Sequence, residues 1–415
     1  MSGIHRERPG ADAISAATGE PAVDLGDGIW MSSGLSNSYL LETDDGRVVV
    51  NAGMGFEGPL HRLAYDAVRP GPSRALLLTQ GHYDHVGGVD CLRDEGTDVV
   101  AQADFATWRA DNERLESFRV RNSAFAWMDR VMAALAHVES LGIRGTVQSR
   151  PEPTITFEDR LELTIGGRDL VLLSVPGGET TDSMVIWLPD SRTALTGNVF
   201  GPLFGHVPNL VTMRGDRYRD ALAYVASLDR VLGLDIERLI TGHFDPVEGA
   251  DRIAVEIAAM RDATQWVHDR TVDGMNDGTD VHTLMGRIRL PDGFDLGEGY
   301  GKTPWNVRAI WETYAGWFHH RSTTELYEVP ASAVATDLVA AAGADALAAA
   351  ARVRLDAGEP VAALHLTDIV LAADPADDDA RSVALAATRA LFDASSNFWE
   401  RAWLDRSAAR LESGR

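Results

Sequence analysis

The feature that most limits the folds open to this chain is the stretch Leu78 to Gly88, L-T-Q-G-H-Y-D-H-V-G-G, which follows directly on the run R-A-L-L. A strand that ends in a loop carrying His82, Asp84 and His85 within four positions places two imidazoles and a carboxylate at one sheet edge. Those donors suit Zn, Mn or Fe. On a turn such close ligands either face one ion together or divide between two neighbouring ions. A solvated loop with chance histidines would look the same locally, since the chain holds 12. Gln80 raises a further question, because it stands two residues before His82, where another imidazole would complete the cluster.

Three later strand exits repeat the arrangement. P-G-G-E-T-T-D-S follows L-V-L-L-S-V and offers Glu179; T-G-N-V follows T-A-L and offers Asn198; T-G-H-F-D-P follows R-L-I and offers His243. Open α/β sheets gather ligands just beyond strand ends. One glycine-flanked polar residue is commonplace, but four in succession at strand exits point to a shared site. The rest of the pattern agrees with α/β. Short strands with a turn at Asp44-Asp45-Gly46 suggest a hairpin. A helix from about 59 to 68 precedes the first site strand, residues 104–145 read as mostly helical, strands resume from T-I-T-F to T-A-L-T-G, and a helix covers about 217–232.

Beyond residue 250 the pattern turns helical, and beyond Val329-Pro330 it becomes Ala-rich, with two helices joined at Ala-Gly-Glu-Pro and stopped at Asp-Pro. The expected organisation is a flexible polar arm over 1–22, an α/β domain over 23–250 and a helical region over 251–415. Bulk properties narrow the partners. With 45% apolar and 24% charged residues, the composition is that of a soluble globular protein. No apolar run approaches the length of a membrane span, and the N-terminal residues lack an apolar signal core, so a cytoplasmic location is expected. The single Cys91 leaves no internal disulfide and no thiolate cluster, so His, carboxylate and amide groups must hold any metal. A net charge of −24 repels nucleic acid and anionic membranes, leaving a small molecule as the expected partner. An anionic substrate needs local basic groups to offset that field.

The order T-Q-G-H-Y-D-H-V-G-G, P-G-G-E-T-T-D-S, T-G-N and T-G-H resembles the metallo-β-lactamase fold, an αββα sandwich whose pattern is T-H-x-H-x-D-H. Within that superfamily the chain is most similar to the alkylsulfatases. They share a glutamate at the position of Glu179 and a stretch like N-L-V-T-M-R-G. G-K-T-P-W-N-V-R-A-I-W-E-T-Y-A-G-W-F resembles the start of their helical dimerisation domain. The resemblance implies metal-assisted hydrolysis of an alkyl sulfate-type ester, and a homodimer through the C-terminal helical region. It implies that His82 and Glu179 serve one metal with Gln80 in place of a histidine, while Asp84, His85 and His243 serve the other. It places Asn198 where a carboxylate helps to hold the pair, Arg214 on the anionic group, and Asp84 as the residue that orients the attacking water. His206 and Asn209, in the same loop as Arg214, are candidates for substrate contact.

The departures have a physical meaning. Gln80 and Asn198 are neutral amides, so the ligand set carries formal charge only on Asp84 and Glu179, too little for two buried divalent ions. One firmly bound ion, Zn in the first instance with Fe or Mn as alternatives, and a weaker or absent second are expected. Two imidazoles and a carboxylate are also the facial set of non-heme iron oxygenases, so a mononuclear iron oxidoreductase stays open. A lactone, thioester or phosphoester hydrolase and a metal-binding dimer without turnover stay open as well. Aromatics between 105 and 127, with Phe200 and Phe204, either wall an apolar pocket or belong to the core.

Overall fold

The computed structural model describes residues 3–414 apart from Thr212 and Arg214. It divides into two compact units, Met1–Tyr314 and Ala315–Arg415.

The first unit is built on two sheets. One contains β1 (Val23–Asp24), β2 (Ile29–Ser32), β3 (Ser38–Thr43), β4 (Gly46–Val50), β5 (Ser73–Leu77), β6 (Asp98–Gln102) and β7 (Ile155–Phe157), in sequential order. It starts as an antiparallel meander and becomes parallel from β4 to β7. The other contains β8 (Arg160–Ile165), β9 (Arg168–Ser174), β10 (Met184–Leu188), β11 (Thr193–Gly197), β12 (Arg238–Thr241) and β13 (Val247–Glu248), also in order, antiparallel except where β11 meets β12.

The period-2 alternation of side chains explains how the sheets stack. Tyr39, Leu41, Val48, Val50, Ala75, Leu77 and Val100 face Leu170, Leu172, Met184, Ile186, Leu195 and Ile240 in one central core. Their neighbours Leu40, Val49, Leu76 and Val99 point outward and are covered by Ala64 and Tyr65 of the helix Gly58–Val68 and by Val89 and Leu92. On the far side Val185, Ala194 and Leu239 are covered by Tyr224, Leu228 and Val231 of the helix Ala221–Leu232 and by Ile253, Ile257 and Met260 of the helix Ala250–Asn276. The result is the expected αββα sandwich. Both outer faces bury large aliphatic side chains, each contributing about 1.5–3 kcal/mol.

Two boundaries differ from expectation. The helix Ala250–Asn276 belongs with the sandwich, because its apolar face covers the second sheet; the compact unit therefore continues to Tyr314 rather than stopping at 250. Of the arm expected over 1–22, the described residues from Gly3 on form a packed segment, with Ile4, Ala11, Ile14, Ala17 and Ala22 all buried. One apolar residue every few positions was enough to anchor it.

The second unit stacks the helices Ala344–Asp356, Pro360–Ala373, Asp378–Ala394 and Phe398–Ser413 around Ala351, Ala363, Val383 and Ala387. Small side chains allow close helix approach. Asp377 and Asn397 cap their helices by accepting backbone N–H bonds, as N-cap residues do. The hairpin expected around Gly358 forms. Among the described residues no single helix is long and apolar enough to cross a membrane.

Candidate metal centre

The loops after β5, β9, β11 and β12 meet at one edge of the sandwich, and backbone bonds cross between the sheets there. Met184 donates its N–H to the Thr79 carbonyl at 2.9 Å, and Asn37 to that of Gly242 at 2.8 Å. Asn51, held at φ 60°, accepts from the Thr79 N–H at 3.0 Å and so fixes the start of the Gln80–His85 loop.

At this edge Asp84, His85 and His243 each bring a ligand atom within 4.8 Å of the others. His85 is fully buried, His243 nearly so, and Asp84 remains partly open to solvent. Burial pushes the His85 imidazole below its ordinary pKa and lowers that of His243 to about 4. Both rings are therefore neutral near pH 7, which is the state that ligates a metal. Ser36 Oγ lies 3.2 Å from His85 Nδ1 and donates to the Gly242 carbonyl at 3.3 Å, fixing that ring. Asn198 Nδ2 sits 3.2 Å from His243 Nε2. Asn198 can be there because Gly242 has no side chain: a Cβ on Gly242 would lie 2.1 Å from Asn198 Oδ1. That oxygen is buried without a hydrogen-bond partner among the described residues, as befits a neutral donor kept for an ion. One carboxylate, two neutral imidazoles and an adjacent amide fit a single divalent ion.

The residues expected at the second position are arranged differently. Gln80 is wholly buried, with Nε2 2.9 Å from His82 Nδ1, and that same nitrogen lies 3.6 Å from Glu179 Oε2. Glu179 is held from the other side by Arg219, whose guanidinium makes contacts of 2.9 and 3.3 Å to the two carboxylate oxygens. Arg219 also donates to the Asn209 carbonyl at 2.6 Å and approaches Asp216 at 3.9 Å, while Arg119 meets Asp216 at 2.9 Å. The negative charge of Glu179 is thus compensated from within the protein. A second cation there would be held by Gln80 and His82, neither of which brings a negative charge, beside a carboxylate already paired. These residues do not fit a second tightly held ion.

The donors open into a cavity of about 920 Å³. Its wall includes Leu35, Met54, Val120, Trp127, Val131 and Val147, and His82, Asp84, Glu179, Asn198 and His243 stand at its inner end. Of the aromatics in question only Trp127 faces it among the described residues. Phe105 joins the core behind the first sheet, and Phe200 and Phe204 pair at 5.0 Å behind the second.

Two substrate candidates lie elsewhere. His206 accepts from the Gly299 N–H at 3.0 Å and stacks edge-on with His5. It fits there because Gly297 and Gly299 leave room for the ring, which a Cβ on either would meet within 3 Å. Asn209 is buried and serves Arg219 through its carbonyl. Neither lines the cavity. Arg214 lies outside the described residues. Arg219, only five positions on, was missed, although the same stretch R-G-D-R-Y-R-D contains it.

Comparison with known proteins agrees with this geometry. The metallo-beta-lactamase superfamily profile matches residues 32–243, slightly more than half of the chain. The chain belongs to the metallo-beta-lactamase superfamily. A second profile, alkyl sulfatase dimerisation, matches residues 287–414. The chain is 29% identical over 397 residues to a linear primary-alkylsulfatase of Pseudomonas sp., covering 90% of this chain and 73% of that protein. It is 26% identical to an alkyl/aryl-sulfatase of Saccharomyces cerevisiae, covering 91% of this chain and 62% of the relative. The solved structure of a stereoselective inverting sec-alkylsulfatase from Pseudomonas sp. superposes with a TM-score of 0.83 at 25% identity, covering 98% of this chain and 70% of that one.

Proposed function

We propose that this chain hydrolyses sulfate esters of the alkyl sulfate type, using one metal ion, zinc in the first instance, held by Asp84, His85 and His243. The observation that carries this reading is the convergence of those three donors within 4.8 Å at the inner end of a cavity with an apolar wall. The alkylsulfatase names of the relatives support the ester class. A zinc ion held by these residues would supply Lewis acidity for ester hydrolysis near neutral pH.

The protein's own groups do the rest. Ser36 and Asn198 hold the rings of His85 and His243. Asp84, partly open to the cavity, orients the attacking water. Leu35, Val120, Trp127 and Val131 exclude water from around an alkyl chain. The anionic group is assigned to Arg214, whose planar fork suits sulfate. The pairing of Arg119 and Arg219 with Asp216 and Glu179 supports that assignment, since both cations are already engaged. A homodimer through the C-terminal region is supported by the dimerisation profile and by exposed Trp317, Tyr327 and Val329.

Sulfate release from a panel of primary and secondary alkyl sulfates by zinc-loaded protein tests the reading. Release that disappears in His85→Ala is expected, with Arg214→Gln raising KM. Turnover of lactones, thioesters or phosphoesters without any sulfate release would move the substrate class. The donor set also matches that of iron oxygenases, so oxygen consumption by iron-loaded protein would favour redox chemistry.

A further inference from the structure

The segment 3–18 is bonded to the loop after β12, which carries His243, and to Glu57, Glu256 and Asp295. The Ile4 N–H bonds to Glu256 at 2.9 Å, and Arg6 pairs with Asp295 at 2.6 Å. The Ala17 N–H bonds to Glu57 at 2.9 Å, and the same carboxylate accepts from Leu35 at 2.8 Å and Met54 at 2.9 Å, two residues of the cavity wall. Arg8 reaches furthest. Its guanidinium donates to the Asp245 carbonyl at 2.9 Å and to the His243 carbonyl and Thr241 hydroxyl at 3.4 Å each. Thr241 Oγ1 donates in turn to the His243 carbonyl at 2.7 Å.

The residue between those carbonyls is unusual. Phe244 has φ 62°, a left-handed conformation that costs a residue with a side chain about 1–2 kcal/mol. Such strain persists only where the surroundings over-determine it. Here the Asn37 amide donates to the Phe244 carbonyl at 3.1 Å, and Arg8 ties the carbonyls on either side. Relaxation of Phe244 towards negative φ would turn the peptide plane between His243 and Phe244 and swing the imidazole away from Asp84 and His85. A forked guanidinium bonded to both flanking carbonyls opposes that rotation.

We propose that Arg8 is a positioning residue for His243, holding the strained turn at Phe244 in the conformation that presents the imidazole to the metal. This rests on the reading of Asp84, His85 and His243 as a metal centre. Arg8→Ala then weakens zinc affinity about 10–100-fold, the usual effect of removing a group that orients a metal ligand. Arg8→Lys gives an intermediate loss, because an ammonium cannot fork. Arg6→Ala, which loosens the same segment at Asp295, leaves zinc affinity within twofold. Zinc affinity is read by competition with a chromogenic chelator.

A second readout, in metal-free protein, is amide hydrogen exchange from Gly242 to Asp245, with the amides of β12 as the measure of an intact sheet. The Gly242 N–H bonds to the Gly197 carbonyl at 2.8 Å and so reports local opening. Faster exchange there in Arg8→Ala, with β12 unchanged, is expected. Zinc affinity of Arg8→Ala within twofold of the unaltered chain overturns the proposal. If the unaltered chain binds no zinc, the one-metal reading fails on its own, and unchanged exchange at Gly242–Asp245 then overturns the role of Arg8.

Discussion

Removing Arg219 isolates the claim that the second metal position is neutralised from within. Both partners are almost wholly buried, with side-chain exposures of 4% for Arg219 and 3% for Glu179. The guanidinium makes two contacts to the carboxylate and one to the Asn209 carbonyl. In Arg219→Gln the carboxylate of Glu179 stays buried and loses the guanidinium. Removing one member of a buried pair costs about 3–5 kcal/mol, most of it the desolvation of the charge left behind. Glu179→Gln costs less, because Arg219 keeps the Asn209 carbonyl and Asp216 at 3.9 Å. Combining the two, Arg219→Gln with Glu179→Gln, leaves no unpaired charge and recovers much of the loss, so the double-mutant cycle gives a coupling of about 2–3 kcal/mol. The assay is urea unfolding of chelator-treated protein, which removes any stabilisation by bound metal. With a slope near 3 kcal/mol/M, Arg219→Gln lowers the midpoint by about 1–1.7 M. A fall below about 0.3 M would refute the reasoning, since Glu179 would then have its charge compensated by another group.

Three further outcomes follow from the same geometry. Burial raises the Glu57 carboxyl to about 7, above its unfolded value near 4.3, so folding favours the protonated form and Glu57 lowers stability as pH rises through that interval. Glu57→Gln therefore gains about 2–4 kcal/mol relative to the unaltered chain between pH 4.5 and pH 8, read from urea midpoints in metal-free protein; a flat difference would contradict it. Trp127→Ala enlarges the apolar wall of the cavity and lowers kcat/KM for longer alkyl sulfates about 10-fold or more, with little change for the shortest, in initial-rate assays. Gly242→Ala drives a Cβ into Asn198 Oδ1, 2.1 Å away, and weakens zinc affinity about 10-fold in chelator competition, while a variant with unchanged affinity would show that the Asn198 amide can move aside.

Much of the sandwich was legible because period-2 alternation distinguishes the inner from the outer face of each strand, as at Tyr39, Leu40 and Leu41. The convergence of Asp84, His85 and His243 was legible because each lies a few residues beyond a strand end, where open α/β sheets gather ligands. Arg219 was not, because its partner Glu179 lies forty positions earlier, and the pairing depends on how the loop before the helix Ala221–Leu232 folds back. His206 failed for the same reason: proximity in sequence to Arg214 said nothing about the glycine-lined recess at Gly297 and Gly299 that takes its ring. The segment 3–18 read as an arm because its few apolar residues, Ile4, Ala11, Ile14 and Ala17, are spaced too widely to signal an element, though each is buried. Its main attachments are hydrogen bonds from Arg8 and Ala17 to distant groups, which no local pattern records.

The measurement that bears most directly on the central claim is metal content per chain, determined on protein purified without added metal and again after zinc loading and dialysis. An unequal site predicts one tightly held ion in the unaltered chain. It predicts a second once Gln80→His adds an imidazole beside His82 and Asn198→Asp adds a carboxylate beside His243. Two tightly held ions in the unaltered chain would contradict it, because the Arg219 pairing would then have failed to displace a cation from Glu179.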